Sequence, residues 1–163
     1  MTNRQTINYR RKREGRTDYR RRLNLLKSGK ARLTVRATVN NTIVSAASFH
    51  PDGDKIITTF HSNDLKKKGW KHGTGNVPAA YLTGYFAAKQ AMEKGVKEAI
   101  LDIGGHESIN GSRIFAALKG AIDAGLSIPH SEKAFPSEDR LMGAHIEAHM
   151  KTKIQDDVKS LMK

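Results

Sequence analysis

The charge in this chain is so unevenly placed that it divides the sequence before any secondary structure is considered. Residues 1–36 hold 13 Lys or Arg against only Glu14 and Asp18, a net +11, whereas residues 37–163 hold 16 against 14, a net +2. A segment with that much like charge cannot bury itself in an apolar core. From Met1 to Arg16 only Ile7 and Tyr9 interrupt the polar run that contains Arg10, Arg11, Lys12, Arg13 and Arg16. This stretch is expected to be disordered when free and ordered by a partner. Basic residues serving only as solvated surface would be spread along the chain, so their clustering points to a polyanion-binding arm. The formal charge of +13 and pI near 10.1 agree with a polyanionic partner.

The remaining residues carry the period of a folded α/β domain. Thr17 or Asp18 can cap a short helix in which Tyr19, Leu23 and Leu26 recur on one face, with Gly29 as its stop. That stripe is predicted to dock on the domain, leaving Arg20, Arg21, Arg22 and Lys27 for the polyanion. Residues 31–39 alternate. Leu33, Val35, Ala37 and Val39 form the inner side of a strand, and Arg32, Thr34, Arg36 and Thr38 form a polar, basic outer side. Asn40-Asn41 suits a hairpin turn, Thr42 to Phe49 the return strand, and Lys55 to Ser62 a third strand after the turn Pro51-Asp52-Gly53-Asp54. A polar loop over 63–75 leads to a long helix capped by Asn76, with Tyr81, Tyr85, Ala88 and Met92 inward and Gly95 as its end. Ala99 to Ile103 is a short apolar run between a helix and Gly104-Gly105, the pattern of a buried parallel strand. Two further helices are predicted over Ser112 to Ala124 and Ser137 to Met150, followed by a frayed polar tail over 151–163. The predicted architecture is one α/β domain, residues 30–150, behind an arm and short helix, residues 1–29. Its mixed sheet has the order three-two-one-four, because a right-handed crossover brings the fourth strand beside the first.

Several motifs invite a chemical reading and fail it. The chain has no cysteine, which removes disulfides, thiolate ligands and cysteine nucleophiles together. No apolar stretch of roughly 7–15 residues follows the basic N-terminus, and no run of about 18 apolar residues appears, so the sequence predicts a soluble intracellular protein with no membrane partner. His145 and His149 lie four apart, but the zinc-protease pattern needs a glutamate directly after the first histidine, and here isoleucine stands there. Gly104-Gly105-His106 is glycine-rich after a strand but lacks the Lys-Ser/Thr pair of a phosphate loop. Asp102, at a strand end, is one carboxylate where a metal-dependent nuclease needs at least two. No cofactor, metal or small-molecule substrate is therefore expected. One second basic element does fit nucleic acid. Lys66, Lys67, Lys68, Trp70, Lys71 and His72 precede Gly73, Thr74, Gly75 and Asn76 at a helix N-terminus, where backbone N–H groups can take a phosphate. An ordinary loop with a helix cap would read the same way.

The run from Arg10 to Arg20, then Leu23 and Leu25 to Lys30, closely resembles the opening of the 5S-rRNA-binding protein family of the archaeal large ribosomal subunit, number eighteen in the universal naming. His61 to Leu65, Gly69-Trp70, Thr74 to Asn76, Pro78 to Gly84, Leu101 to Gly104, Gly120 to Leu126, Ile128 to His130 and Gly143 to Ile146 resemble that family in the same order. The resemblance covers roughly residues 10–150. It departs at Gly105 to Asn110, and the chain ends at Lys163 without the longer C-terminal extension of some members. The resemblance implies a ribonuclease-H-like scaffold without its catalysis. It also implies a place in the central protuberance, with 5S rRNA, 23S rRNA and neighbouring large-subunit proteins as partners. The arm, Tyr19 and the first helix, Lys30, and the strand face at Arg32, Arg36 and Thr38 with Asn40 would then lie on RNA. A metal-dependent nuclease on the same scaffold is the alternative, with a DNA-compacting protein as a third. Carboxylates clustered at strand ends would favour the nuclease.

Overall fold

The computed structural model describes residues 6–150 and 154–162, apart from the side chains of His149 and Met150. The first elements are a single helical turn, α1 (Arg10–Arg13), and a longer helix, α2 (Tyr19–Leu26). Three strands follow: β1 (Ala31–Ala37), β2 (Thr42–Ser48) and β3 (Lys55–His61). After them come α3 (Val77–Glu93), β4 (Ala99–Asp102) and α4 (Arg113–Asp123). Three helices close the chain: α5 (Glu138–Met142), α6 (Ala144–Met150) and α7 (Ile154–Met162). The sheet order is β3-β2-β1-β4, as the pattern predicts. β1 and β2 pair antiparallel with Val35 opposite Val44, and β4 runs parallel to β1 with Leu33 opposite Leu101. The hairpin closes at Thr38, whose N–H and hydroxyl both donate to the Asn41 carbonyl at 2.8 and 3.0 Å. That turn ends β1 two residues before the predicted limit and leaves Val39 exposed on the surface rather than in the core.

The two faces of the sheet serve different ends. Leu33, Val35, Val44 and Ala46 point to one side and have no exposure, packed in the core with α3 and α4. α3 is buried on most of its circumference rather than along the predicted stripe, because the sheet lies on one side of it and α4 on another. The two helices touch at backbone distance. A Cβ on Gly84 would sit 1.9 Å from the Ala117 carbonyl oxygen, and one on Gly120 would sit 2.1 Å from that of Tyr81. No side chain fits at either place.

Four predicted features come out differently. α2 turns Arg22 and Leu25 toward the sheet, with Leu26 half-buried beside them, because Arg22 finds a carboxylate there; of the predicted stripe Tyr19 is exposed and Leu23 is left 58% exposed. The polar loop contains a 3₁₀ helix, Ser62–Lys68, capped by His61, whose Nδ1 accepts the Asn63 N–H at 3.0 Å. The single helix expected over 137–150 is broken into α5 and α6 at Gly143, whose φ of 89° favours glycine. A side chain at Gly143 would also strike Ile154 and Pro78. The tail expected to fray is α7, whose Ile154 and Val158 enter the core where an i, i+4 spacing puts both on one face. Tyr85 fixes its far end by donating its hydroxyl to the Met162 carbonyl at 3.1 Å.

The α3–α4 crossing sets a direct test. Gly120→Ala should lower the unfolding free energy by about 2 kcal/mol or more, since overpacking outweighs the gain in helix propensity. Gly73→Ala, where a Cβ would meet nothing within 4 Å, should change it by less than about 0.5 kcal/mol. Urea unfolding of both variants measures the difference.

Candidate nucleic-acid interface

The arm and α2 present several cations that have no counter-charge among the described residues. Asp18 starts α2 by accepting the N–H groups of Arg20 and Arg21 at 3.0 and 3.1 Å, which spends the carboxylate on the backbone. Glu14 pairs with Arg10 and Arg16 at 3.0 and 3.1 Å, and Arg11 donates its Nε to Thr17. Arg13, Arg20, Arg21 and Lys27 are exposed and have no side-chain partner among the described residues. Lys12 reaches only the neutral Asn8. Tyr19 rests against Tyr9, ring centroids 5.6 Å apart, so both phenols sit on this cationic surface. α1 buries nothing, as expected of a segment too charged for a core.

Inward from the arm the arrangement reverses, and the arginines meet carboxylates. Arg32, predicted to face RNA, is 2% exposed. Its Nη1 donates to Asp102 at 3.0 Å and its Nη2 lies against Asp54. Arg22 reaches both oxygens of Asp54 at 2.8 Å, and Arg36 donates to the Asp102 carbonyl at 3.0 Å. Asp102 also accepts the Gly104 N–H at 2.8 Å. Arg32 is therefore a structural cation, corrected from the predicted RNA set because α2 and the arm cover this part of the strand face, whereas Arg22 commits only its Nη2 to Asp54 and stays 32% exposed on its side chain. Arg36, 43% exposed on its side chain, keeps one edge free. Lys30 is bound to Glu98 at 2.7 Å.

The second basic element divides in the same way. Trp70 was expected on the surface, but it is 2% exposed and donates its indole N–H to the Gly73 carbonyl at 3.1 Å. Its ring belongs to the core, so it cannot stack on a base. Thr74 is buried and donates to Asn40 and Asn41; Asn76 caps α3 by accepting the Ala79 N–H at 2.9 Å. The first turn of α3 is enclosed, from Val77 through Ala80, so it has no open anion site. His72 pairs with Asp157 at 2.8 Å, and Gly75 passes close to the Val39 and Asn40 backbone. Lys66, Lys67, Lys68 and Lys71 remain exposed, as do Thr38, Asn40 and Gly73, although Lys67 is paired with Asp64. Sequence reasoning missed Asp54 altogether. It lies in an ordinary turn, and nothing local signals a partner 22 or more residues away in β1 and α2.

Asp54 and Asp102 do converge at strand ends, the pattern that would favour a nuclease. They converge on a guanidinium, and Arg32 occupies the place between them. His145 is exposed, and its proposed partner side chain at His149 lies outside the described residues. Among the described residues no group of three His, Cys, Asp or Glu is placed to hold a metal ion. Burial alone would raise the Asp54 pKa, but hydrogen bonds and charge from Arg22 and Arg32 outweigh it and hold the carboxyl below its ordinary value of 3.8.

A depressed pKa means that Asp54 stabilises the fold above its unfolded pKa and that this is lost as pH falls through the lower, folded value. Asp54→Asn should therefore be less stable than the parent at pH 7, and the gap should close below about pH 4. Arg32→Leu, which leaves two aspartates without their cation, should cost about 3–5 kcal/mol at pH 7. Thermal melts across pH measure both.

A cationic arm on an α/β body whose buried Arg32 is held between two carboxylates defines a polyanion-binding structural protein. The family described as ribosomal large subunit proteins 60S L5 and 50S L18 matches this chain over residues 3–98 and 92–131. The large ribosomal subunit protein uL18 of Methanothermobacter thermautotrophicus is 49% identical over 138 residues, which is 85% of this chain and 72% of that protein. The protein of the same name from Korarchaeum cryptofilum is 53% identical over 140 residues, 86% of this chain and 72% of its own length. The chain belongs to this family of large-subunit ribosomal proteins. It is a structural component of the cytoplasmic ribosome and not an enzyme, and the nuclease alternative has no support.

Proposed function

We propose that this protein binds 5S rRNA and helps attach it to 23S rRNA in the central protuberance, beside neighbouring large-subunit proteins. Residues 1–29 act as the RNA-binding arm and the α/β body as its platform. The observation that carries this reading is the separation of charge. The exposed cations Arg10, Arg11, Lys12, Arg13, Arg16, Arg20, Arg21 and Lys27 surround two surface tyrosines, while the deeper arginines are all paired. Such a surface suits phosphate contacts together with stacking on unpaired bases. Arg36, Thr38, Asn40, Lys66, Lys67, Lys68 and Lys71 extend it along the body. The family resemblance supplies the identity of the RNA.

Phosphate contacts release counterions, so their number can be read from the salt dependence of binding. Deleting residues 1–16 removes Arg4, Arg10, Arg11, Lys12, Arg13 and Arg16 against Glu14. With about four of these six on phosphate, the log–log salt slope should fall by roughly three. The truncated protein should stay folded and keep part of its preference for 5S rRNA over a size-matched RNA, since α2 and the body remain. An unchanged slope would place the arm on a different partner.

A further inference from the structure

Between the arm, α2 and the outer face of the sheet lies an open cavity of about 290 Å³. Its floor is made by strand residues that point away from the core, Thr34 on β1 and Ser45 and Ala47 on β2, and its apolar wall by Leu25 and Ile56. The aspartates that reach it are spent: Asp18 on the α2 backbone, Asp54 on Arg22 and Arg32, and Asp102 on Arg32, Arg36 and the Gly104 N–H. In the deep part of the cavity Asp54 and Asp102 thus engage Arg22, Arg32 and one edge of Arg36, and the surface between these pairs is partly apolar. Its exposed rim is different. Arg16 and Arg11 use their Nε atoms within the arm and keep their terminal nitrogens free of other partners among the described residues, and Arg21 has no side-chain partner at all among them.

An interior whose charges are mostly engaged with one another and whose walls are partly apolar, beneath a rim of unspent guanidinium groups, is poorly suited to a bare phosphate, which would seek the free rim cations directly. It is also poorly suited to an acidic side chain, which would have to desolvate against uncharged floor residues beside cations already engaged by Asp54 and Asp102. It matches a nucleotide, with a planar base that loses water on entering and a phosphate left at the mouth. Thr34 donates its hydroxyl to the Ser45 carbonyl at 3.1 Å and Ser45 accepts the Thr59 hydroxyl at 3.0 Å, which leaves the Thr34 oxygen as an acceptor and the Ser45 hydroxyl as a donor for the polar edge of a base. We propose that this cavity receives one unpaired base of the bound rRNA, with Arg21 and the arm arginines holding its phosphate. The inference rests on the RNA-binding reading above, and adds a site to it that no basic motif in the sequence marks.

The test fills the cavity without touching its charge. Thr34→Leu and Ser45→Leu place bulk on the floor from two different strands, and Thr34→Val is the control of nearly unchanged volume. Full-length proteins are titrated against 5S rRNA over a range of salt. Dimethyl sulfate and a carbodiimide then report which unpaired Watson–Crick edges the protein covers. The parent should protect one isolated unpaired base within its footprint. In either filled variant that position alone should become reactive again, with binding weaker by about tenfold, the contribution of one stacked base, and with an unchanged salt slope. Arg21→Ala should instead reduce the slope by about one. Thermal melting identifies a filled variant that fails to fold, and the other then gives the result. Filled variants that bind with parental affinity and an intact footprint would overturn the proposal, and would leave the cavity to a protein side chain. Failure of the parent itself to bind 5S rRNA would overturn the functional reading instead.

Discussion

The buried guanidinium of Arg32 is the interaction on which the outer half of this structure depends. It joins parts of the chain that are far apart in sequence: β1, the turn before β3 through Asp54, and the end of β4 through Asp102. Arg22 on α2 shares Asp54, so the same network carries the arm's helix onto the sheet. Taking one such cation out of water costs several kcal/mol, and an ion pair repays that only where the geometry is good and further hydrogen bonds are made. Here two carboxylates meet one planar fork, and a backbone N–H and a second arginine complete the shell of Asp102. Lysine at position 32 would offer one point of charge in place of the fork and could not hold both acids in these positions.

From this network follows the asymmetry of the sheet. One face is closed by apolar packing that approaches backbone contact where Gly84 and Gly120 let α3 meet α4. The other face is closed by charge, and only in part, because ion pairs need open geometry where aliphatic side chains would fill space. A cavity remains beside the network for that reason. The apolar face can specify the fold by itself, which frees the polar face to take an arm and a helix that bury no residue of their own.

How much of this the sequence showed depends on the distance over which each signal acts. The strand alternation of residues 31–37, the Asn76 cap and the glycine stops act within a few residues, and the strands, their order and most helices were readable from them. α7 was not read, although Ile154, Val158, Leu161 and Met162 recur at i, i+4, i+7 and i+8, the spacing of an amphipathic helix that the charged residues between them mask. Trp70 was misplaced for a related reason. A tryptophan among lysines, glycine and histidine looks exposed, and only the 3₁₀ turn before it directs its ring inward. Arg32 and Arg36 have equal standing in the alternation of β1, yet one is enclosed and the other half-open. The difference lies in Asp54, and no local pattern points to it. The candidate interface was legible as a total of charge, while its division into paired and unpaired cations was set by tertiary contacts.

That division also bears on how the arm can be ordered. α1 is one turn of four consecutive cations, of which the i, i+3 pair Arg10 and Arg13 share a face and repel by tenths of a kcal/mol. Glu14 at its C-terminal end offsets two of the neighbouring arginines, but nothing apolar is buried in return. A nucleating turn that satisfies few hydrogen bonds is unfavourable by itself. The favourable terms available to the arm are then external ones, phosphate charge and base stacking, and each acts on the same residues whose mutual repulsion opposes the turn. Binding a polyanion removes the repulsion and adds the attraction at once. Under the proposed function, the conformation of the arm and its occupancy by a polyanion form a single equilibrium, screened by salt over about 10 Å, while the Arg32 network behind it is buried and largely insensitive to ionic strength.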